Sequence, residues 1–189
     1  MKILIFGAGG VGSVIGGFLA RTGHEVSLLG QASHLEAIRK NGLLITGIWG
    51  DYRIKAFDLY ADVELLKKAA VSFDLIILSV KSHDTQEAVF QLSGLMDENT
   101  MLLSLQEDLA DTETILKKVR PENFLAGRAV FGVEILPGVV RVTACTNPVF
   151  IAPAEGFVPK LSAERMALTL SAAKIPATSA PLDKSPNID

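Results

Sequence analysis

Lys2-Ile-Leu-Ile-Phe6 runs directly into Gly7-Ala8-Gly9-Gly10-Val11-Gly12 at the start of this 189-residue chain. The first five residues are the kind of short apolar run that makes a buried parallel strand, and the residues after the glycines can start a helix. Each glycine of the G-x-G-x-x-G spacing has a separate physical task where a strand turns into a phosphate-binding helix. Gly7 permits the tight turn, Gly9 lets a pyrophosphate approach the backbone, and Gly12 lets the helix pack close to the sheet. The helix start then offers unpaired N–H groups and the positive end of its dipole to an anion. Ala8, Gly10 and Val11 fill the turn between them, so residues 7–12 together form the candidate dinucleotide site.

Working outward, the composition sets limits. A hydrophobic fraction of 49% with 21% charged residues fits a globular α/β protein with a buried sheet. The net charge of −3 and the lack of a basic run argue against a nucleic-acid partner. Cys145 is the only cysteine, which excludes a disulfide framework and a thiolate metal cluster; a small buried side chain in a β segment is its simplest role. No apolar stretch of about 18 residues is present to span a membrane, and the first strand belongs to the fold, so a cytoplasmic location is expected.

The pattern along the chain alternates. Strands are expected at 2–6, 25–29, 73–80 and 100–105, and helices at 10–22, 33–40 (with Ser33 as N-cap), 62–70, 82–92 and 112–119. Residues 43–46 and 52–56 flank a glycine-bounded turn and form a hairpin. Alternation of this length predicts an α/β fold with a doubly wound, mostly parallel sheet. After residue 123 the pattern changes to β-type runs at 124–133, 139–144 and 149–152, with a Pro137-Gly138 turn, which predicts late antiparallel strands at a sheet edge. A helix at 162–173 and a short strand near 175–178 follow. Residues 1–179 are expected to form one dinucleotide-binding domain and 180–189 a disordered-type tail.

Several residues could carry chemistry. An NAD site usually has an acid about 20 positions after the glycine motif, at the end of the second strand. Here Leu28-Leu-Gly-Gln31-Ala-Ser33 stands in that place without a carboxylate, which favours a 2′-phosphate and hence NADP; NAD stays open, because no arginine is there either. Gln31 and Ser33 can donate hydrogen bonds, or they are simply loop residues. Lys81 follows a strong strand at its carboxyl end, where it either faces a cofactor or anionic substrate or is solvated. Ser104, Gln106 and Glu107 leave the next strand at the same edge. Glu107 and Asp108 can act in acid–base work if desolvated, or form an exposed acidic turn before a helix. His24, His34 and His83 match no metal spacing.

These segments, taken in order, resemble the ketopantoate reductases (2-dehydropantoate 2-reductases). KILIFGAGGVGSVIGGFLARTGHEVSLLG, HLEAIRKNGLLI, FDLIILSVKSHDT, SLQEDL and AVFGVEILPGVVRV are similar to that family's motifs over approximately residues 1–175, its cofactor domain. The resemblance implies a Rossmann fold and reduction of a ketone beside a carboxylate with NADPH as hydride donor, a step of pantothenate biosynthesis. By position it implies that Gly7, Gly9 and Gly12 hold the pyrophosphate and that Lys81 faces the cofactor. Three departures stand out. Gln31 replaces the arginine of many members, and Glu107-Asp108 replaces Asn-Gly of the family's LQNG motif. The third is that the family's helical C-terminal domain, with its catalytic lysine, is missing from the 189 residues. Lys184 lacks the family lysine's context, and no catalytic residue is assigned. The expected function is therefore an NADPH-dependent reductase present as its cofactor domain, weakly active or inactive alone. The other reading is a non-catalytic NAD(P)-binding module or sensor, or one subunit of a split reductase. Either would bind a dinucleotide and, in the first case, a small 2-keto acid. A second copy or a partner chain is expected to cover apolar surface left exposed.

Overall fold

The computed structural model describes residues 1–105 and 109–180. Its main layer is an eight-stranded sheet. The central strand β1 (Lys2–Phe6) pairs in parallel with β2 (Glu25–Leu29) on one side. On the other side it pairs in parallel with β6 (Leu75–Leu78). Helix α1 (Gly10–Arg21) connects β1 to β2, and α2 (Ala32–Asn41) follows β2. The chain then forms the hairpin β3 (Leu43–Gly47) and β4 (Tyr52–Ile54) and adds β5 (Asp58–Tyr60) beside β2. Helix α3 (Val63–Lys68), capped by the Asp62 side chain on Glu64 N–H, crosses to the far side of β1. There β6, β7 (Met101–Ser104) and β8 (Phe124–Arg128) continue in parallel. Helices α4 (Thr85–Leu92) and α5 (Leu109–Leu116) make the crossovers. The strand order therefore reverses direction at β1, the place where ligands sit in doubly wound sheets.

The strands β1, β2, β6 and β7 are almost continuously buried, as expected for strands covered on both faces. The expected late antiparallel edge is present. Strand β11 (Val149–Pro153) runs antiparallel to β8, and β12 (Ala177–Ser179) runs parallel to β11 at the rim. Helix α6 (Ala163–Ala172) lies between them in sequence, with Ser162 accepting from Arg165 N–H as its cap.

Several expectations need correction. The run expected as one strand over 124–133 divides into β8 and β9 (Phe131–Leu136), because the chain leaves the main sheet between them. Strands β9 and β10 (Val139–Cys145) do not join the main sheet's edge. They form a second, four-stranded sheet in the order β4-β3-β10-β9, where β10 pairs antiparallel with β9 and parallel with β3. Helix α2 is capped by Gln31 without a side-chain bond, and Ser33 sits inside it. The segment 82–92 opens with a 3₁₀ turn over Ser82–Asp84.

Helix α1 is held between the two sheets. A Cβ at Gly16 would come 2.8 Å from Ile5 of β1, and one at Gly17 would come 2.6 Å from Ile45 of β3. Phe18 is fully buried and meets Trp49 and Tyr52 edge-on, with ring centroids 5.8 and 5.5 Å away. The guanidinium of Arg21 stacks 3.7 Å from the Tyr52 ring centre. A mid-helix glycine costs roughly 0.5–1 kcal/mol relative to alanine, so the pair Gly16-Gly17 is explained by close approach on both faces.

Candidate functional site

The register of the parallel strands brings the sequence-predicted residues to one edge. Phe6 is aligned with both Leu29 and Leu78, Leu29 with Tyr60, and Leu78 with Ser104. Each strand therefore ends at the same level. Gly7 follows β1, Gly30-Gln31 follows β2, Ser79-Val80-Lys81 follows β6 and Leu105 follows β7. The glycine turn is at the centre, with Gln31 on one side and Lys81 on the other; both are exposed. Ser104 is the buried last residue of β7. Gln106, Glu107 and Asp108 lie outside the described residues.

The turn is fixed by its backbone. Gly7 and Ala8 both donate their N–H groups to the Leu29 carbonyl, at 3.0 and 2.8 Å. Gly7 has φ +104°, and a Cβ there would stand 2.8 Å from the Ser79 backbone carbon. Such a φ is open to glycine and strained for any L side chain. At Gly12 a Cβ would collide with the Gly7 carbonyl oxygen and the Ser79 hydroxyl. Gly9 is different: it is exposed, and a Cβ built on it meets nothing within 4 Å. Ser13 N–H makes the first helical bond, 2.9 Å to the Gly9 carbonyl. The N–H groups of Gly10, Val11 and Gly12 find no acceptor among the described residues. A row of open amides beside an uncovered glycine is a cradle suited to a phosphate group.

Sequence reasoning missed the supports of this cradle. The Ser79 hydroxyl donates 2.8 Å to the Gly7 carbonyl and locks the turn to β6. The signal was a polar residue closing the apolar run Leu75–Leu78. Val133 of β9 stands against Gly10, where a Cβ would be 3.0 Å from its methyl group, so the second sheet walls the turn. Ser13 and His34 are both buried and share a 3.0 Å hydrogen bond, although His34 looked unremarkable on the first turn of a helix. His24 and His83 lie in a turn and on an exposed 3₁₀ segment. Among the described residues, no three His, Cys, Asp or Glu side chains gather as metal ligands. Burial pushes the Cys145 thiol up, which keeps it protonated near neutral pH and a poor nucleophile. No helix among the described residues is long and apolar enough to cross a membrane.

The order of the sheet and the glycine turn at its reversal point define a Rossmann-type α/β protein. Residues 3–156 match the family model described as Ketopantoate reductase PanE/ApbA, and the chain belongs to that family. It is 30% identical to the 2-dehydropantoate 2-reductase of Aquifex aeolicus (strain VF5) over 179 residues, which cover 93% of this chain and 54% of that protein. It is 36% identical to the enzyme of the same name from Pyrococcus horikoshii over 75% of this chain and 42% of the relative. The chain thus spans about half the length of the curated relatives it matches. Its structure is similar to the PanE/ApbA family ketopantoate reductase of Ralstonia eutropha JMP134, with a TM-score of 0.81 and 29% identity over 95% of this chain and 56% of that one. It is also similar to D-mandelate dehydrogenase in its ternary structure with NADH and anilino(oxo)acetate, with a TM-score of 0.79 and 26% identity over 95% and 57%. The family is one of dinucleotide-dependent oxidoreductases.

Proposed function

We propose that this chain supplies the dinucleotide-binding half of an NADPH-dependent 2-dehydropantoate 2-reductase. The observation that carries the reading is the open space at Gly9 beside the free amides of Gly10, Val11 and Gly12. These amides bind and orient a pyrophosphate, and Ser79 keeps them aimed by holding the Gly7 carbonyl. Lys81 and Gln31 flank the cofactor; Gln106 and Glu107, which follow β7 in sequence, are assigned to the same cofactor site. When bound, the dinucleotide supplies a hydride to a 2-keto acid. With Glu107 in the place of the family's asparagine, the 189-residue chain is expected to turn over weakly or not at all.

NADPH is favoured over NADH because no carboxylate closes β2: Leu29, Gly30 and Gln31 present no negative charge to a 2′-phosphate. The similarity to an NADH-bound D-mandelate dehydrogenase is the specific argument for NADH. A second reading, a non-catalytic dinucleotide module or one subunit of a split reductase, is favoured by the carboxylate Glu107 in the place of the family's asparagine. That charge repels an anionic substrate unless it is protonated. Self-association belongs to both readings, since Phe90, Leu136, Val158 and Leu168 are large apolar residues left exposed.

The test is a fluorescence titration of wild type and Gly9→Ala with NADPH and NADH. The alanine methyl enters open space at a residue with φ −84°, so the fold should keep its stability within about 1 kcal/mol while dinucleotide affinity falls about tenfold or more. Equal affinity in the two proteins would remove the pyrophosphate from this turn.

A further inference from the structure

We propose that His34 is a positioning residue for the dinucleotide: its neutral ring ties the first turn of α1 to the Pro137-Gly138 turn and so holds the second sheet beside the phosphate cradle. The inference rests on the reading of residues 7–12 as the cofactor turn. His34 is 4% exposed, and its two ring nitrogens bond to two different elements. Nε2 lies 3.0 Å from the Ser13 hydroxyl, and the Gly138 N–H donates to Nδ1 at 3.1 Å. An amide N–H can only donate, so Nδ1 carries the lone pair and the ring proton is on Nε2, directed at Ser13. Ser13 is 0% exposed and its own N–H closes the first turn of α1 on Gly9.

The other end of the bridge is equally constrained. A Cβ at Gly138 would approach the Ala37 methyl to 2.9 Å, and Leu44 N–H donates 2.9 Å to the Gly138 carbonyl. The Pro137-Gly138 turn closes the β9–β10 hairpin, whose Val133 presses on Gly10. His34 is thus the polar link by which α2 fixes the hairpin against the helix that offers its amides. A purely apolar packing would fill the same space without setting the rotation of α1 about its axis, which decides where the amides of residues 10–12 point.

Burial holds the ring below its ordinary value of 6.5, and the Leu136 carbonyl beside it offsets this in part. The charged residues on the surrounding elements are Glu36, Arg39 and Lys40 on α2, Asp58 on β5, Glu134 on β9, Arg141 on β10 and Arg21 at the far end of α1. All are exposed, and none contributes to the shift. Protonation places a hydrogen on Nδ1, where the Gly138 N–H donates now, so two donors face each other and the Gly138 bond is lost. The bridge in its present geometry is broken, and the turn must shift for a carbonyl of the same hairpin to meet the ring instead. The sign is fixed by the lowered value: the bridge is complete above about pH 6.5 and is lost as pH falls through the ring's depressed value.

The experiment measures NADH affinity of the 189-residue chain from about pH 7.5 to about pH 5, NADH being chosen because it has no titrating 2′-phosphate. Wild type should lose about fivefold in affinity across this range, the equivalent of one hydrogen bond. His34→Gln, which does not carry the ring's two-ended bridge, should bind about fivefold more weakly than wild type at the upper pH, and its profile should be flat; it retains His24 and His83. Ser13→Ala, which cuts only the α1 end, should also flatten the profile and keeps the test open if the first variant does not fold. Profiles of both variants that superimpose on the wild type would overturn the positioning role while the cofactor site stands. A wild type that binds neither NADH nor NADPH would overturn the cofactor reading first, and this role with it.

Discussion

Helix α1 meets the two sheets through different contacts. Toward the eight-stranded sheet it presents Gly12 and Gly16: opposite Gly12 stand the Gly7 carbonyl and the Ser79 hydroxyl bonded to it, a stiff pair, and opposite Gly16 the Ile5 and Leu28 side chains. Toward the four-stranded sheet it presents Gly10 and Gly17, opposite the ends of aliphatic side chains on Val133 and Ile45, with Phe18 and its aromatic neighbours filling the remainder. The first contact sets the distance between the helix start and the strand ends, which a phosphate site cannot relax. The second is a buttress, built from groups that can shift by a few tenths of an ångström. Tolerance to added atoms should therefore differ sharply between the two faces of one helix.

The largest effect is expected on the rigid face. Gly12→Val must displace either the Gly7 carbonyl or Ser79, which moves the amides of residues 10–12. Losing two hydrogen bonds to a charged phosphate, at about 1.5 kcal/mol each, weakens dinucleotide binding about a hundredfold. Overpacking adds a stability cost of about 1–3 kcal/mol. Calorimetric titration with NADPH alongside urea unfolding measures both; affinity within threefold of wild type, about 0.6 kcal/mol, would break the distinction between the faces. On the buttress, removal of atoms matters more than addition. Phe18→Ala takes away a fully buried ring and the edge-on partner of Trp49 and Tyr52, so unfolding should cost about 3–5 kcal/mol less. A loss under about 1 kcal/mol would mean that the aromatic cluster collapses onto the space and carries little of the second sheet.

The two sheets also differ in how far the amino-acid sequence discloses them. Strands β1, β2, β6 and β7 and their helices repeat a local unit, and each apolar run is bounded by turn residues, so periodicity reads them directly. The second sheet is joined from segments far apart. The alternation of Val140 and Val142 inward with Arg141 and Thr143 outward marks β10 as a strand but does not name its partner β3. The break between β8 and β9 passes through Arg128-Ala129-Val130, which contains neither Gly nor Pro, because the chain changes sheets there without a turn. Strand β5 is three residues long and has no periodicity to show. At the site, the glycines were legible because their backbone demands exclude other residues. Ser79, Ser13 and His34 were not, since each acts through a partner distant in sequence, 104 residues away for His34 and Gly138.

The smallest effect sharpens the comparison most. Gly17→Ala places a methyl 2.6 Å from the Cδ1 of Ile45 and 3.1 Å from a Leu43 methyl, overlaps that exist only with the far ends of flexible side chains. Ile45 can rotate its terminal methyl away, at a cost of order 0.5–1.5 kcal/mol for an off-rotamer angle. Against this, alanine in a helix interior gains about 0.8–1.0 kcal/mol over glycine. The two terms nearly cancel, so unfolding stability should change by less than about 1 kcal/mol and NADPH affinity by less than about twofold. A large loss of stability would show that the second sheet is packed against α1 as rigidly as the first. A loss of affinity without a loss of stability would have another meaning: small shifts of the buttress would reach the amides of residues 10–12, and the four-stranded sheet would then tune the site as well as support it.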